Sequence, residues 1–292
     1  MPFIKHRLGN TFYELKGSSN NKNRLPVIYL HGGPGGSSKN SAKLFNLNTN
    51  RQIIFYDQIG GGRSSAIGKK HWRIESFVYE LDYLASYLNI DSFHIYSGSW
   101  GTTLALEFYL RKNKNRVKSI VFQSPLFCTQ DWANDATILI KALPSKTQRI
   151  IEVCHEIGAT DSAVYRQAMQ EYYLKHVLRN EKKLKAFMKS MEGNINGRKI
   201  YEYMWGPSEF GPTGTLKNYN RVKDLKKIKI PTLFIAGEYD EARPVTVKKY
   251  KDMTSNAKIE IIPNASHALL QEEPKKIINI CSRFYKDVEN NA

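Results

Sequence analysis

This chain has little with which to build a disulfide, a metal site or a membrane anchor. Its 292 residues include three cysteines, Cys128, Cys154 and Cys281. The number is odd, the spacings are wide and no C-x-x-C occurs, which excludes a disulfide framework and the usual cysteine zinc sites. No apolar run approaches the ~20 residues that span a bilayer, and the opening "MPFIKHRLGNTFYELKG" lacks the apolar core of a secretory signal. These absences point to the cytoplasm and away from a membrane partner. Phosphate-loop signatures are missing as well, with no G-K-[ST] and no G-x-G-x-x-G opening a helix. Acidic side chains are scarce, 27 against 44 Lys and Arg, leaving a formal net charge of +17. Such a charge permits contact with nucleic acid or anionic lipid. Its clusters, however, sit in "RNEKKLKAFMK", among apolar residues at helical spacing, and in "VKDLKKIKIP", ahead of a buried strand. Neither carries an RNA-binding or DNA-reading motif, so no specific nucleic-acid partner is expected.

What is present is a strand–helix alternation. Hydrophobic residues make up 41% and charged residues 24%, enough for a packed core. The length suits one α/β core carrying an insertion. "LPVIYL" (25–30), "QIIFYD" (52–57), "SFHIYS" (92–97) and "VKSIVFQSP" (117–125) read as short buried strands. Between them, 74–89 and 102–112 have helical periodicity. The order predicts a mostly parallel central sheet flanked by helices. From about 127 to 222 the strands stop and helical segments follow one another. Strand signals return at 230–240 and 257–263, and a helix closes the chain. The expected layout is a core of 1–126 with 223–292, interrupted by a helical cap at 127–222.

"YSGSWGTTLAL" (96–106) places Ser99 where a strand hands over to a helix. A residue on such a sharp turn is lifted out of the sheet, and the free N–H groups of the new helix can stabilise negative charge beside it. This is the nucleophile elbow of α/β hydrolases, G-x-S-x-G, with Ser97 in place of the first glycine. A serine nucleophile needs a base and the base an orienter, in the chain order Ser, acid, His. Asp240 and His267 each follow a predicted strand, at the sheet edge that presents Ser99. "HGGPGG" (31–36) ends the strand "VIYL". Its backbone can supply one oxyanion donor from Gly33, with Gly32 as the alternative, and the N–H of Trp100 the other.

These segments resemble the proline iminopeptidase family of α/β hydrolases over nearly the whole chain. "HGGPGG" matches the family's oxyanion loop. "FYDQIGGGRS" (55–64) matches its DQ-x-G-x-G-x-S segment, with Gly61 where many members have cysteine. "GSWG" (98–101) matches the serine motif. "MWGPSEFGPTGTLKNYN" (204–220), "IPTLFIAGEYDE" (230–241) and "NASHALLQEEP" (264–274) are most similar to the tricorn-interacting aminopeptidases. The resemblance implies an α/β-hydrolase fold and removal of an N-terminal residue, often proline, from short peptides. It also implies that Glu209 and Glu241 hold the substrate's free amine. An exopeptidase tells a chain end from an internal bond by capturing its charge, and carboxylates beside the scissile bond do that. Asp57 and Arg63 read as structural, and Trp132 and Trp205 as pocket lining or core.

The expected chemistry needs no metal or organic cofactor. Ser99 attacks, His267 shuttles the proton, Asp240 holds the imidazole, and an acyl-enzyme is cleared by water. A broad esterase, amidase or lactonase could use the same triad, since fold does not fix substrate. Such an enzyme has no use for an amine clamp. A non-catalytic basic binding module has no use for the triad, and epoxide hydrolases and dehalogenases usually place aspartate where Ser99 stands. Oligomeric state is not legible.

Overall fold

In the computed structural model the described residues are 2–18, 24–46, 51–112 and 114–291. Their strands are β1 (Phe3–His6), β2 (Gly9–Lys16), β3 (Val27–Leu30), β4 (Ile53–Tyr56), β5 (Phe93–Gly98), β6 (Val117–Gln123), β7 (Thr232–Gly237) and β8 (Ala257–Ile262). They form one sheet in the order β1-β2-β4-β3-β5-β6-β7-β8. From β4 across to β8 every pairing is parallel, while β1–β2 and β2–β4 are antiparallel. The six parallel strands coincide with the six strand segments read from the sequence. The antiparallel β1 and β2 were not expected, and the reason is physical. As the outer strands of the sheet they alternate buried with exposed residues, or stay half-buried, and show no apolar run.

The helices are α1 (Ser41–Leu44), α2 (Ile74–Tyr87), α3 (Trp100–Arg111), α4 (Thr129–Lys141), α5 (Ser145–Glu156), α6 (Ala163–His176), α7 (Glu181–Gly193), α8 (Ile195–Met204), α9 (Pro244–Asp252), α10 (Leu269–Glu272) and α11 (Pro274–Asn290). Side chains alternate across a strand, so β3 feeds two cores. Ile28 and Leu30 pack with α2, α3 and α9, whereas Val27 and Tyr29 pack with α1, α10 and α11. A third apolar cluster joins α4, α5, α6 and α7 to Phe210. Those helices, with α8, fill the chain between β6 and β7, and a single bridge pairs Cys128 with Asn220 at the two ends of that stretch. α8 was not anticipated from the sequence, because Gly197 and the polar "NGRK" dilute its apolar stripe of Ile200, Tyr201 and Met204.

Parallel order places the carboxyl ends of β3 to β8 along one edge. Ser99, the glycine loop, Asp240 and His267 all follow those ends, as in open α/β sheets generally.

Candidate active site

Ser99 stands between β5 and α3 with φ +53° and ψ −126°, a conformation that a serine adopts only when its surroundings hold it. They do so on both sides. Its N–H donates to the Gln123 carbonyl at 3.0 Å, and its own carbonyl accepts the N–H of Thr102 at 2.8 Å. Ser97, standing where the elbow motif has glycine, is fully buried. It turns its hydroxyl to the Val121 carbonyl at 2.7 Å, so the exchange leaves no unsatisfied group. Gly101 admits no side chain, because a Cβ there would lie 2.4 Å from the Leu30 carbonyl oxygen. That close passage lets α3 start immediately behind the serine.

His267 and Asp240 meet as expected. His267 Nδ1 lies 2.8 Å from Asp240 Oδ1. The same oxygen accepts the N–H of Ala242 at 2.9 Å, and Oδ2 accepts the Ser124 hydroxyl at 2.6 Å. An ionised Asp240 accepts the Nδ1–H of His267, which leaves Nε2 on the far side of the ring. Burial draws the imidazolium down, yet Asp240 above all, with Glu209 and Glu272, outweighs it and holds His267 above its ordinary value. The loop is fixed from the helical side too. His267 N–H donates to the His176 carbonyl and Ala268 N–H to the Val177 carbonyl.

The glycine loop lies against the serine: a Cβ on Gly32 would stand 3.3 Å from Ser99 Cβ. Its entry is held by a network that the sequence did not disclose. The Gln58 N–H donates to His31 Nε2 at 2.9 Å, so His31 Nδ1–H donates to the Gly32 carbonyl at 2.7 Å. Burial keeps this imidazole below its ordinary value. The Gln58 amide donates to the His31 carbonyl at 3.0 Å and accepts the Trp100 indole N–H at 2.8 Å. One side chain thus ties the ends of β3, β4 and β5 together. Next to it, Asp57 accepts from Ser37, Ser38 and Arg63. Burial alone would raise that carboxyl, but Arg63, His31 and the backbone N–H groups draw it down to about 2. Asp57 and Arg63 thus tie the turn after β4 to Ser37 and Ser38 after β3.

Glu241 and Glu209 converge on this centre. Glu241 is fully buried, neither of its oxygens is hydrogen-bonded, and Oε1 lies 3.7 Å from His267 Nδ1. Burial first, then Glu209 and Asp240, push its carboxyl well above the usual range. Burial raises Glu209 as well, against the pull of His267 and Tyr201. Tyr172 and Tyr173 of α6 and Tyr201 of α8 face the two carboxylates. The Tyr201 hydroxyl nevertheless has no hydrogen bond of ordinary geometry. Glu209 is placed by its backbone: its carbonyl accepts the Trp132 indole at 2.9 Å and its N–H donates to the Tyr173 hydroxyl at 3.2 Å. An unbonded buried carboxylate is costly, and here a second carboxylate lies close enough to raise it further.

The glycine loop also meets the helices between β6 and β7. Asn194 donates from Nδ2 to the Gly35 carbonyl at 2.8 Å, and its Oδ1 accepts from Gly197 and Gly62. A Cβ on Gly197 would stand 2.0 Å from the Gly35 carbonyl oxygen. Two glycines therefore let α8 touch the loop backbone to backbone.

Residues 26–274 match the family profile of the α/β hydrolase fold. A proline iminopeptidase of Heyndrickxia coagulans is 36% identical over 264 residues, 90% of this chain and 91% of that one. The chain belongs to the proline iminopeptidase family of α/β hydrolases. Among solved structures, the proline iminopeptidase of Mycobacterium smegmatis superposes with a TM-score of 0.88 at 27% identity, covering 99% of this chain and 98% of that one. VinJ superposes at 0.90 with 26% identity, over 98% of each chain.

In this proline iminopeptidase family member Gly33, Ser99, Trp100, Asp240, Glu241 and His267 follow strand ends at one sheet edge, and Glu209 sits in the turn after α8. Two contributors went unread, and a third was left open. Gln58 was hidden in the "DQ" pair, whose only signal is a polar residue directly after a buried strand. Ser124 lies in "QSP", again at a strand end. Trp132 was left open between core and pocket; it is buried, and its ring stands nearly perpendicular to that of His267, with centroids 5.6 Å apart. Among the described residues no cluster of His, Cys, Asp and Glu could hold a metal, and no helix is long and apolar enough to cross a membrane.

Proposed function

We propose that this protein is a serine exopeptidase that releases the N-terminal residue, proline or another small apolar residue, from short peptides. In this reading residues 127–222 form the cap over a core of 1–126 and 223–292. Ser99 attacks the carbonyl carbon of the first residue while His267 Nε2 takes the hydroxyl proton. The negative charge on the carbonyl oxygen rests on the N–H groups of Trp100 and Gly33. Asp240 holds the Nδ1–H tautomer and stabilises the imidazolium. His267 then gives its proton to the leaving amine, and water repeats the sequence on the acyl-enzyme to free the amino acid and Ser99.

The observation that carries the reading is Glu241. A fully buried carboxylate with two unbonded oxygens, beside a second carboxylate and 3.7 Å from His267, calls for a cationic ligand. The ring nitrogen of an N-terminal proline, protonated, carries two N–H donors, one for Glu209 and one for Glu241. The surrounding tyrosines leave an aromatic wall for the pyrrolidine ring. Three unpaired, buried cysteines accord with a reducing cytoplasmic compartment.

The test is to incubate a peptide beginning in proline, and its N-acetylated twin, with the protein and weigh the products by mass spectrometry. Loss of one residue from the free peptide alone, abolished in Ser99→Ala, is the expected outcome. Cleavage of both peptides alike would favour the esterase or amidase reading.

A further inference from the structure

Five non-glycine residues of the described chain have positive φ. Three are asparagines, whose side chains suit that region. The other two are serines, Ser99 and Ser124. Ser124, at φ +50°, is fully buried at the end of β6. Glycine would occupy that conformation at less cost, so the hydroxyl is what the position retains. That hydroxyl donates to Asp240 Oδ2 at 2.6 Å. Its neighbour Gln123 accepts the Ser99 N–H on its carbonyl at 3.0 Å, and donates from Nε2 to the His267 carbonyl at 3.1 Å. Two consecutive residues therefore touch the segments of nucleophile, base and acid. The strand that bears them lies between β5, which carries Ser99, and β7, which carries Asp240.

We infer that Ser124 is a positioning residue for hydrolysis: its hydroxyl fixes the second oxygen of Asp240 so that the first stays on His267. The inference rests on the reading of Ser99, His267 and Asp240 as the triad. A carboxyl group turns easily about its last torsion. Without Ser124, Oδ2 keeps only the Gly237 N–H at 3.3 Å, and the plane is free to swing. The lost donor would also leave more negative charge facing His267, making the imidazole more basic. The groups that face this pair from neighbouring elements are Glu241 and Glu209, Glu272, His176 and Tyr172, and none is altered by a change at 124.

The experiment compares Ser124→Gly with Ser124→Thr. Glycine relieves the backbone and removes the hydroxyl. Threonine keeps the hydroxyl and adds a branch that positive φ opposes. If the hydroxyl positions Asp240, Ser124→Gly melts no lower than wild type yet loses about 10- to 100-fold in kcat/KM for a prolyl amide, mainly in kcat. Its acid limb moves to higher pH. Ser124→Thr melts lower but is faster than the glycine variant. A merely structural role predicts that activity follows the melting temperature. Wild-type kcat/KM and an unmoved pH profile in folded Ser124→Gly would overturn the inference even if threonine fails to fold. A fluorophosphonate that labels wild type but not Ser99→Ala shows that the triad reading stands separately; if Ser99 is not labelled, that reading falls first.

Discussion

Replacing Glu241 by Gln should move stability and activity in opposite directions. The carboxyl is fully buried, unbonded, and held well above its usual range by burial and by Glu209 and Asp240. The native protein without ligand therefore holds this proton to higher pH than the unfolded chain does. A folded pKa raised above the unfolded value means stability that is fully present at low pH. It is lost as pH rises from the ordinary carboxyl range through the folded pKa, by ~1.4 kcal/mol for each pH unit inside that window. Glu241→Gln does not titrate, so its stability relative to wild type should grow as pH rises through that window. The amide inherits an unbonded place, so the growth of the difference with pH is the quantity to read, by thermal melts at each pH. The same variant loses one carboxylate of the amine site, a loss of about 2–5 kcal/mol for a buried charged contact. Its kcat/KM for a prolyl amide should fall roughly 30-fold or more. A melting difference that stays flat from pH 5 to pH 7 would refute the buried proton. An unchanged kcat/KM would refute the contact with the amine.

Ser99→Ala should lower turnover on the order of 10⁴-fold or more with the melt unchanged; retention of a few per cent of wild-type activity in purified protein would remove Ser99 from its role. Gln58→Leu cuts the ties among His31, Trp100 and the glycine loop, and should slow a prolyl amide and p-nitrophenyl acetate alike, by about tenfold in kcat, unlike any change in the amine site. Gly197→Ala drives a Cβ into the Gly35 carbonyl and should cost about 1–3 kcal/mol in a denaturant titration, with a matching loss of activity as α8 lifts from the loop. The +17 charge should give only sequence-indifferent nucleic-acid binding that fades steeply with salt in a mobility-shift assay.

The parallel half of the fold was legible because most of its strands are buried along their length and read as largely apolar runs, as "VIYL" and "TLFIAG" do, although the edge strand β8 is half-exposed. β1 and β2 were not, since "FIKH" and "GNTFYELK" at the sheet's edge carry a pattern too mixed and too short. Ser99, Asp240 and His267 could be read from strand ends and chain order alone, because parallel topology sends every such end to one edge. Glu209 and Glu241 could not. On periodicity they are ordinary surface glutamates, and only the family resemblance singled them out. Burial of the Glu241 carboxylate beside His267 is a three-dimensional fact. Gln58 and Ser124 act through hydrogen bonds to residues 42 and 116 positions away, and no local spacing announces such partners.

The central claim is that two carboxylates, the buried Glu241 and the half-buried Glu209, recognise a free N-terminus for the serine to attack. It is tested most directly by measuring kcat/KM for a prolyl amide and its N-acetyl twin on wild type, Glu209→Gln and Glu241→Gln. Acetylation should cripple the wild type and add little further loss in either variant, because both changes remove one contact. Equal rates for the acetylated and free substrates on the wild type would contradict the account.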